Sequence, residues 1–328
     1  MADELQGKAI VITGASSGAG RAAAIEFAKH KTHLVLAARN TEALEKLVTE
    51  CRELGSTAIA VTTDMGDIQA VKHLANSAYD SYGKIDIWIN NAGVLAAGEF
   101  TKTPIEIHHK VIQTNLIGYL NGAYAVLPYF KKQKSGILIN NISIGAWLPV
   151  PYGVGYSASK FGLRGFSEAL RGELIKWPQI HICDLFPAFL DTPGIQHAAN
   201  YTGSALRPAP PVYDPQRLAR TMVRTALYPR NNTTMGSVAY LLKFAHLLAP
   251  GITRFCTAKV MELYFKKAAT IKTSDGNLFA PVTYGTSIHG GWNTSEDASK
   301  RKNAVIRTAI FAGLIVGLTI PIKRMLKN

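Results

Sequence analysis

The stretch "YSASK" sets Tyr156 and Lys160 four residues apart. On a helix that spacing puts both side chains on one face, within reach of one small site. A free phenol keeps its proton to about pH 10. A neighbouring ammonium favours the phenolate and lowers that value, so the pair is expected to make a tyrosine that trades protons near neutral pH. The same spacing on a surface helix would make only a solvated face, and the rest of the chain has to decide. Upstream, "TGASSGAG" (13–20) gathers Gly14, Gly18 and Gly20 between an apolar run and a helical one. Glycines so placed allow a tight turn, close backbone approach to a pyrophosphate and close helix packing. The helix that follows would turn its unpaired N–H groups and partial positive charge to the phosphates.

Both groups need a scaffold that brings strand ends and helix starts together. Six apolar, β-branched-rich runs supply candidate strands: 8–14, 33–39, 57–64, 85–93, 136–143 and 180–187. Helical patterns separate them, including 41–55 (N-cap Thr41, stop at Gly55), 104–130 and the helix of Tyr156. Strands that lack strict alternation and alternate with helices point to an open parallel sheet covered on both faces. After the sixth run comes a proline-rich excursion (188–215), then a helix near 216–228, a short strand at "TTMGS" and a helix near 237–249. Residues 1–250 are expected to form the catalytic domain and 251–302 an extension covering it, within which 274–300 is rich in turn residues and reads as an extended covering segment.

Charge is distributed unevenly. The formal net charge is +14, yet residues 1–191 carry 18 Lys+Arg against 17 Asp+Glu. A nearly neutral body argues against nucleic-acid binding; the positive charge lies in 192–261 and in the last 29 residues. Three scattered cysteines, Cys51, Cys183 and Cys256, make neither a disulfide framework nor a metal cluster and suit a reducing compartment. "MADELQGKAIVITG" enters an apolar run at once, so no secretory signal is expected. The adjacent His108 and His109 point different ways on a helix, and no metal is expected there. Asp184, inside an apolar run, reads as a polar residue at a sheet or subunit boundary.

Taken in order, "TGASSGAG", Asp64 after the third run, "NNAG" (90–93), Asn115, Ser143 and "YSASK" resemble the short-chain dehydrogenase/reductase family, over roughly residues 6–236. Ser143 precedes Tyr156 by thirteen residues, the family's usual interval. The later "PPVYDP" (210–215) and "NLFAPVTYGTSIHGGW" (277–292) resemble a bacterial subgroup of the compact branch with a long C-terminal extension. The resemblance implies a Rossmann-like doubly wound parallel sheet and a homo-oligomer. It implies Tyr156 as general acid/base, Lys160 lowering its pKa and holding the nicotinamide ribose, Ser143 orienting the carbonyl, and Asn115 anchoring a water for proton exchange. Cofactor contacts would come from Gly14, Ser16, Ser17, Gly18, Gly20, Arg39, Asn40, Asp64, Asn91, Ala92, Gly93, Tyr156, Lys160, Pro187 and Thr192. Pro187-Ala188 stands where the family usually has Pro-Gly, which is expected to displace the backbone there slightly.

An NAD-preferring enzyme ends its second strand with an acid that binds the ribose hydroxyls. Here "LAARN" puts Arg39 at that position. A guanidinium matches a 2′-phosphate in charge and fork geometry, and Ser16 could add a hydrogen bond, so NADP(H) is the expected cofactor. The expected reaction interconverts a carbonyl and an alcohol, on a substrate that the aliphatic and aromatic content of 188–215 and 238–251 suggests is lipophilic. A nucleotide-binding regulatory protein or a membrane scaffold without turnover is the alternative; neither needs a positioned proton donor. Residues 303–328 form an expected hydrophobic C-terminal helix. Ala309–Ile322 is a run of 14 uncharged residues flanked by Arg307 and by Lys323, Arg324 and Lys327. Ala309, Gly313 and Gly317 recur every four residues, a stripe that permits close helix packing. Attachment to a membrane with the body cytoplasmic is the expectation.

Overall fold

A computed structural model describes residues 3–293. The chain runs β1 (Ala9–Thr13), α1 (Gly18–Ala28), β2 (His33–Ala38), α2 (Thr41–Glu53), β3 (Thr57–Thr62), α3 (Ile68–Tyr82), β4 (Ile87–Asn90) and β5 (Ala96–Ala97). It continues through α4 (Ile105–Ile112), α5 (Gly118–Gln133), β6 (Gly136–Asn141), α6 (Val154–Glu173), β7 (Ile180–Pro187) and β8 (Ala199–Asn200). The last elements among the described residues are α7 (Pro215–Leu227), β9 (Asn232–Met235), α8 (Ser237–Leu248) and α9 (Pro250–Phe265). Seven strands form one sheet in the order β3-β2-β1-β4-β6-β7-β9, with every neighbouring pair parallel. This is the Rossmann-like doubly wound α/β fold.

Side chains alternate across the pleat, and here both faces are apolar. Ile10, Ile12, Leu34 and Leu36 pack with residues of α1, α2 and α7 on one face. Val11, Val35 and Ala37 pack with residues of α3 and α5 on the other. Burying both faces is why the strands read as unbroken apolar runs. Fully burying each large apolar side chain, as at Phe27, Trp88 and Phe130, contributes about 1.5–3 kcal/mol.

Several local details differ from the sequence expectation. The N-cap of α2 is Asn40, not Thr41: its side chain accepts from Ala43 N at 3.0 Å. The helix expected over 104–130 is divided by a π turn at Gln113–Ile117 and runs on to Gln133. The first part of 251–302, where the sequence pattern assigns no element, is helical, because Pro250 suits the first position of a new helix and nothing after Gly251 breaks it before Phe265. Asp184 sits at no boundary. β7 is an interior strand paired to β6 and β9, and the fully buried Asp184 carboxylate accepts from Ser167 Oγ (2.8 Å) and Asn140 Nδ2 (3.2 Å) and faces Arg171 Nη2 at 2.9 Å. A buried charge needs such a partner. The hydrophobic segment 303–328 lies outside the described residues; among those described, no helix is long and apolar enough to cross a membrane.

Candidate active site

The strand order reverses between β1 and β4, and the crevice at the carboxyl ends of strands flanking such a switch point is where an open α/β sheet binds ligands. The loop from β1 to α1 enters this crevice. Gly14 (φ +64°) and Gly18 (φ +54°) adopt the left-handed conformation that side chains resist. A Cβ on Gly14 would lie 2.6 Å from Ala92 Cα, and one on Gly20 would strike the Gly14 carbonyl. The loop is therefore packed directly on the segment after β4. Asn91 braces it: Nδ2 donates to Thr13 O (3.0 Å) and Gly14 O (3.3 Å), and Oδ1 accepts from Asn141 Nδ2 (2.9 Å). The Asn91 and Ala92 amides both donate to Thr13 Oγ1. These two residues support the glycine loop from behind as well as lining the cleft.

Tyr156, Ser143 and Lys160 meet on the opposite side of the same cleft, which has a volume of about 430 Å³. Tyr156 and Lys160 come from α6, and Ser143 from the end of β6. Ser143 has φ +132°, a conformation that costs a non-glycine residue about 1–3 kcal/mol and concentrates at functional sites. Its Oγ accepts from Gly145 N at 3.0 Å. A side chain on Gly145 would approach Tyr156 Cε1 to 3.0 Å. The Lys160 ammonium, 4% exposed, donates to Asn141 O at 3.5 Å and lies 5.2 and 5.6 Å from the Tyr119 and Tyr156 ring centroids.

The electrostatics depart from the simple pair. Burial lowers the Lys160 pKa to about 7, and burial also raises that of Tyr156, the hydrogen bond with Ser143 opposing the rise. The expected lowering of the phenol by its neighbouring ammonium does not appear, because desolvation penalises both charged forms. Asn115, in the π turn, is fully buried. Its amide bridges the Val94 backbone, accepting from N (2.8 Å) and donating to O (2.8 Å), and donates to Ser159 Oγ at 3.4 Å. Gly93 lies against it: a Cβ there would be 3.4 Å from Asn115 Oδ1.

At the far end of the cleft, Asp64 accepts from Gly66 N (2.9 Å) and Lys110 Nζ (3.3 Å). Burial alone would raise its pKa; the Gly66 amide, Lys110 and Arg39 outweigh burial and hold it below the usual value. Arg39 donates to the carbonyls of Leu278 (2.9 Å) and Asn277, and Asn40 Nδ2 to Val282 O (3.1 Å). Ser16, Ser17, Pro187 and Thr192 complete the lining, Thr192 Cβ standing 3.1 Å from where a Gly18 Cβ would be. Ala188, after Pro187, donates from N to Met235 O at 3.0 Å. Sequence reasoning missed one group of lining residues: Asn277, Pro281, Val282, Tyr284, Gly285 and Thr286. The turn-rich composition of that stretch signalled a covering segment but not what it covers.

A cleft of this volume is within the range that holds small ligands. A helix N-terminus stands at its middle, a guanidinium at one end and a phenol at the other. That order of donors fits an extended dinucleotide.

Residues 8–201 match the short chain dehydrogenase family model. The chain is 30% identical over 324 residues to the uncharacterized oxidoreductase YxnA of Bacillus subtilis, which covers 95% of this chain and 90% of that protein. It is 30% identical over 292 residues to dehydrogenase/reductase SDR family member 7B of Xenopus laevis, covering 85% and 89%. Among solved structures, an alcohol dehydrogenase from the archaeon Thermococcus sibiricus complexed with 5-hydroxy-NADP matches with a TM-score of 0.62 and 25% identity, over 71% of this chain and 98% of that one. The chain belongs to the short-chain dehydrogenase/reductase family. It is an oxidoreductase of that type, and the family works with nicotinamide dinucleotides.

Proposed function

We propose that the protein is an NADP(H)-dependent oxidoreductase that interconverts a carbonyl and an alcohol on a lipophilic substrate. The observation that carries this reading is the convergence of Tyr156, Ser143 and Lys160 in one cleft with the glycine loop and Arg39. The nicotinamide, when bound, supplies or accepts the hydride. Tyr156 donates its phenolic proton to the substrate oxygen in reduction and takes it back in oxidation, a role worth about 10²–10⁴-fold in rate. Ser143 Oγ hydrogen-bonds the same oxygen and stabilises the charge that develops on it. Lys160, beneath both rings, holds the ribose. Asn115 keeps the loop after β4 in register and anchors the water that relays protons from Lys160. Pro187, Thr192 and the glycine loop, with Ser16, Ser17 and Asp64, hold the dinucleotide. Arg39 recognises the 2′-phosphate. Leu148, Val150, Phe189, Leu190 and Leu242 also line the cleft, and their apolar surface favours a lipophilic substrate.

The test is NADPH oxidation with a panel of ketones and aldehydes. Tyr156→Phe is expected to abolish turnover while NADPH still binds; reduction near the wild-type rate across a pH series would overturn the assignment. A protein that binds NADPH but turns over none of the panel would favour a regulatory role.

The division into a catalytic domain (1–250), a covering extension (251–302) and a hydrophobic C-terminal helix (303–328) belongs to the same proposal. So do a homo-oligomeric assembly and attachment of a cytoplasmic body to a membrane. The tail's composition supports that attachment. The α8–α9 hairpin supports it too, exposing Phe244, Leu247, Phe255 and Leu263 beside Lys243, Arg254 and Lys259.

A further inference from the structure

Residues 275–292 contain no helix or strand, yet they are fastened along their length. Leu278 is fully buried against Val94, Ala96, Ile107, Val111 and Ala199. Asn277 N donates to His197 O (2.9 Å), and His197 Nε2 donates to Tyr284 O (3.1 Å). Beyond the cleft, the amides of Gly290 and Trp292 donate to Asp191 Oδ1 (3.2 and 2.8 Å), and the Trp292 indole donates to Thr192 O (3.0 Å). His289 Nε2 stands 3.2 Å from Asp214 Oδ1. Ordering an irregular segment costs about 1–2 kcal/mol per residue in backbone entropy alone, so anchors at both ends are what keep it in place.

Between the anchors the segment touches the cleft where a dinucleotide's phosphates would lie. The carbonyls of Asn277 and Leu278 receive two N–H groups of Arg39. A guanidinium has its donors in a rigid planar fork, so fixing two of them fixes the direction of the rest. At the helix start, Gly18 N donates to Ser287 O at 2.9 Å. An N–H group there is one that an anion would take, and a peptide carbonyl already holds it.

We propose that Asn277–Ser287 is a strap belonging to the cofactor site: its Asn277 and Leu278 carbonyls position Arg39 for the 2′-phosphate, and its Ser287 carbonyl is exchanged for a pyrophosphate oxygen at Gly18 when the dinucleotide enters. The cofactor then lies between the sheet and the strap. This rests on the reading of the cleft as an NADP(H) site.

Two measurements on the full chain test it. In fluorescence titrations, Leu278→Ala removes the buried anchor beside Arg39. NADPH affinity is expected to fall about tenfold or more, the scale of one lost charge-assisted hydrogen bond, with NADH affinity nearly unchanged. Equal losses for the two nucleotides, or no loss, would overturn the positioning role. Combined with Arg39→Ala, the anchor substitution should cost NADPH affinity nothing further. Hydrogen exchange of the wild type needs no variant to fold: NADP⁺ should slow exchange across 277–288 as well as in the glycine loop. Unaltered or faster exchange of the strap would refute the proposal. A wild type that prefers NADPH while the strap tests fail leaves the cofactor reading standing; a wild type that binds neither nucleotide sinks both.

Discussion

Replacing Lys160 by methionine is expected to stabilise the protein below neutral pH while destroying its turnover. Methionine is unbranched and fills irregular apolar space, so the substitution chiefly removes a buried charge. The only hydrogen bond of Lys160 Nζ among the described residues is the long one to Asn141 O (3.5 Å), and burial brings its pKa from 10.5 to about 7. The folded value lies below the unfolded one, so between them the unfolded chain binds the extra proton. Stability therefore rises with pH from about 7 to about 10.5. The penalty is fully present below pH 7. At about 1.4 kcal/mol for each pH unit, the cost of keeping this ammonium folded approaches about 5 kcal/mol. Urea unfolding of wild type and Lys160→Met at pH 6 and pH 10 measures it. The variant should be several kcal/mol more stable at pH 6, with the gap closing toward pH 10. A variant less stable at pH 6, or a gap that does not change with pH, refutes the reasoning.

Arg39→Asp should move cofactor preference toward NAD(H), read as the ratio of kcat/KM values; a wild type that already prefers NAD(H) would contradict the role given to Arg39. Arg171→Met leaves the Asp184 carboxylate buried without its counter-charge and should cost about 3–5 kcal/mol in urea unfolding; Asp184→Asn in that background should recover part of the loss. Fractionation of the full chain against one ending at Ser299 checks membrane attachment: only the longer protein should need detergent, and recovery of both in the soluble fraction would dismiss the anchor.

Much of this protein was legible in local pattern. β1, β2, β3, β4, β6 and β7 announce themselves as β-branched runs bounded by turn residues, and the helix of Tyr156 and Lys160 by its own spacing. Gly14 and Gly18 mark the tight turn between β1 and α1, because a left-handed backbone conformation is a local demand. Other features depend on partners far along the chain. The π turn brings Asn115 to Val94, and Asp184 reaches Arg171 across the packing of α6 on β7. Ser143 is recognisable by its interval, but its positive φ is not. Tyr156 and Lys160 are four apart in any helix; whether the ammonium helps the phenol depends on how dry their surroundings are, and packing decides that. Arg39 could be read as a phosphate ligand from its place after β2. That its guanidinium is held by the carbonyl of Asn277, 238 residues further on, could not, because main-chain carbonyls are alike in every residue and only the closed fold brings one to the other.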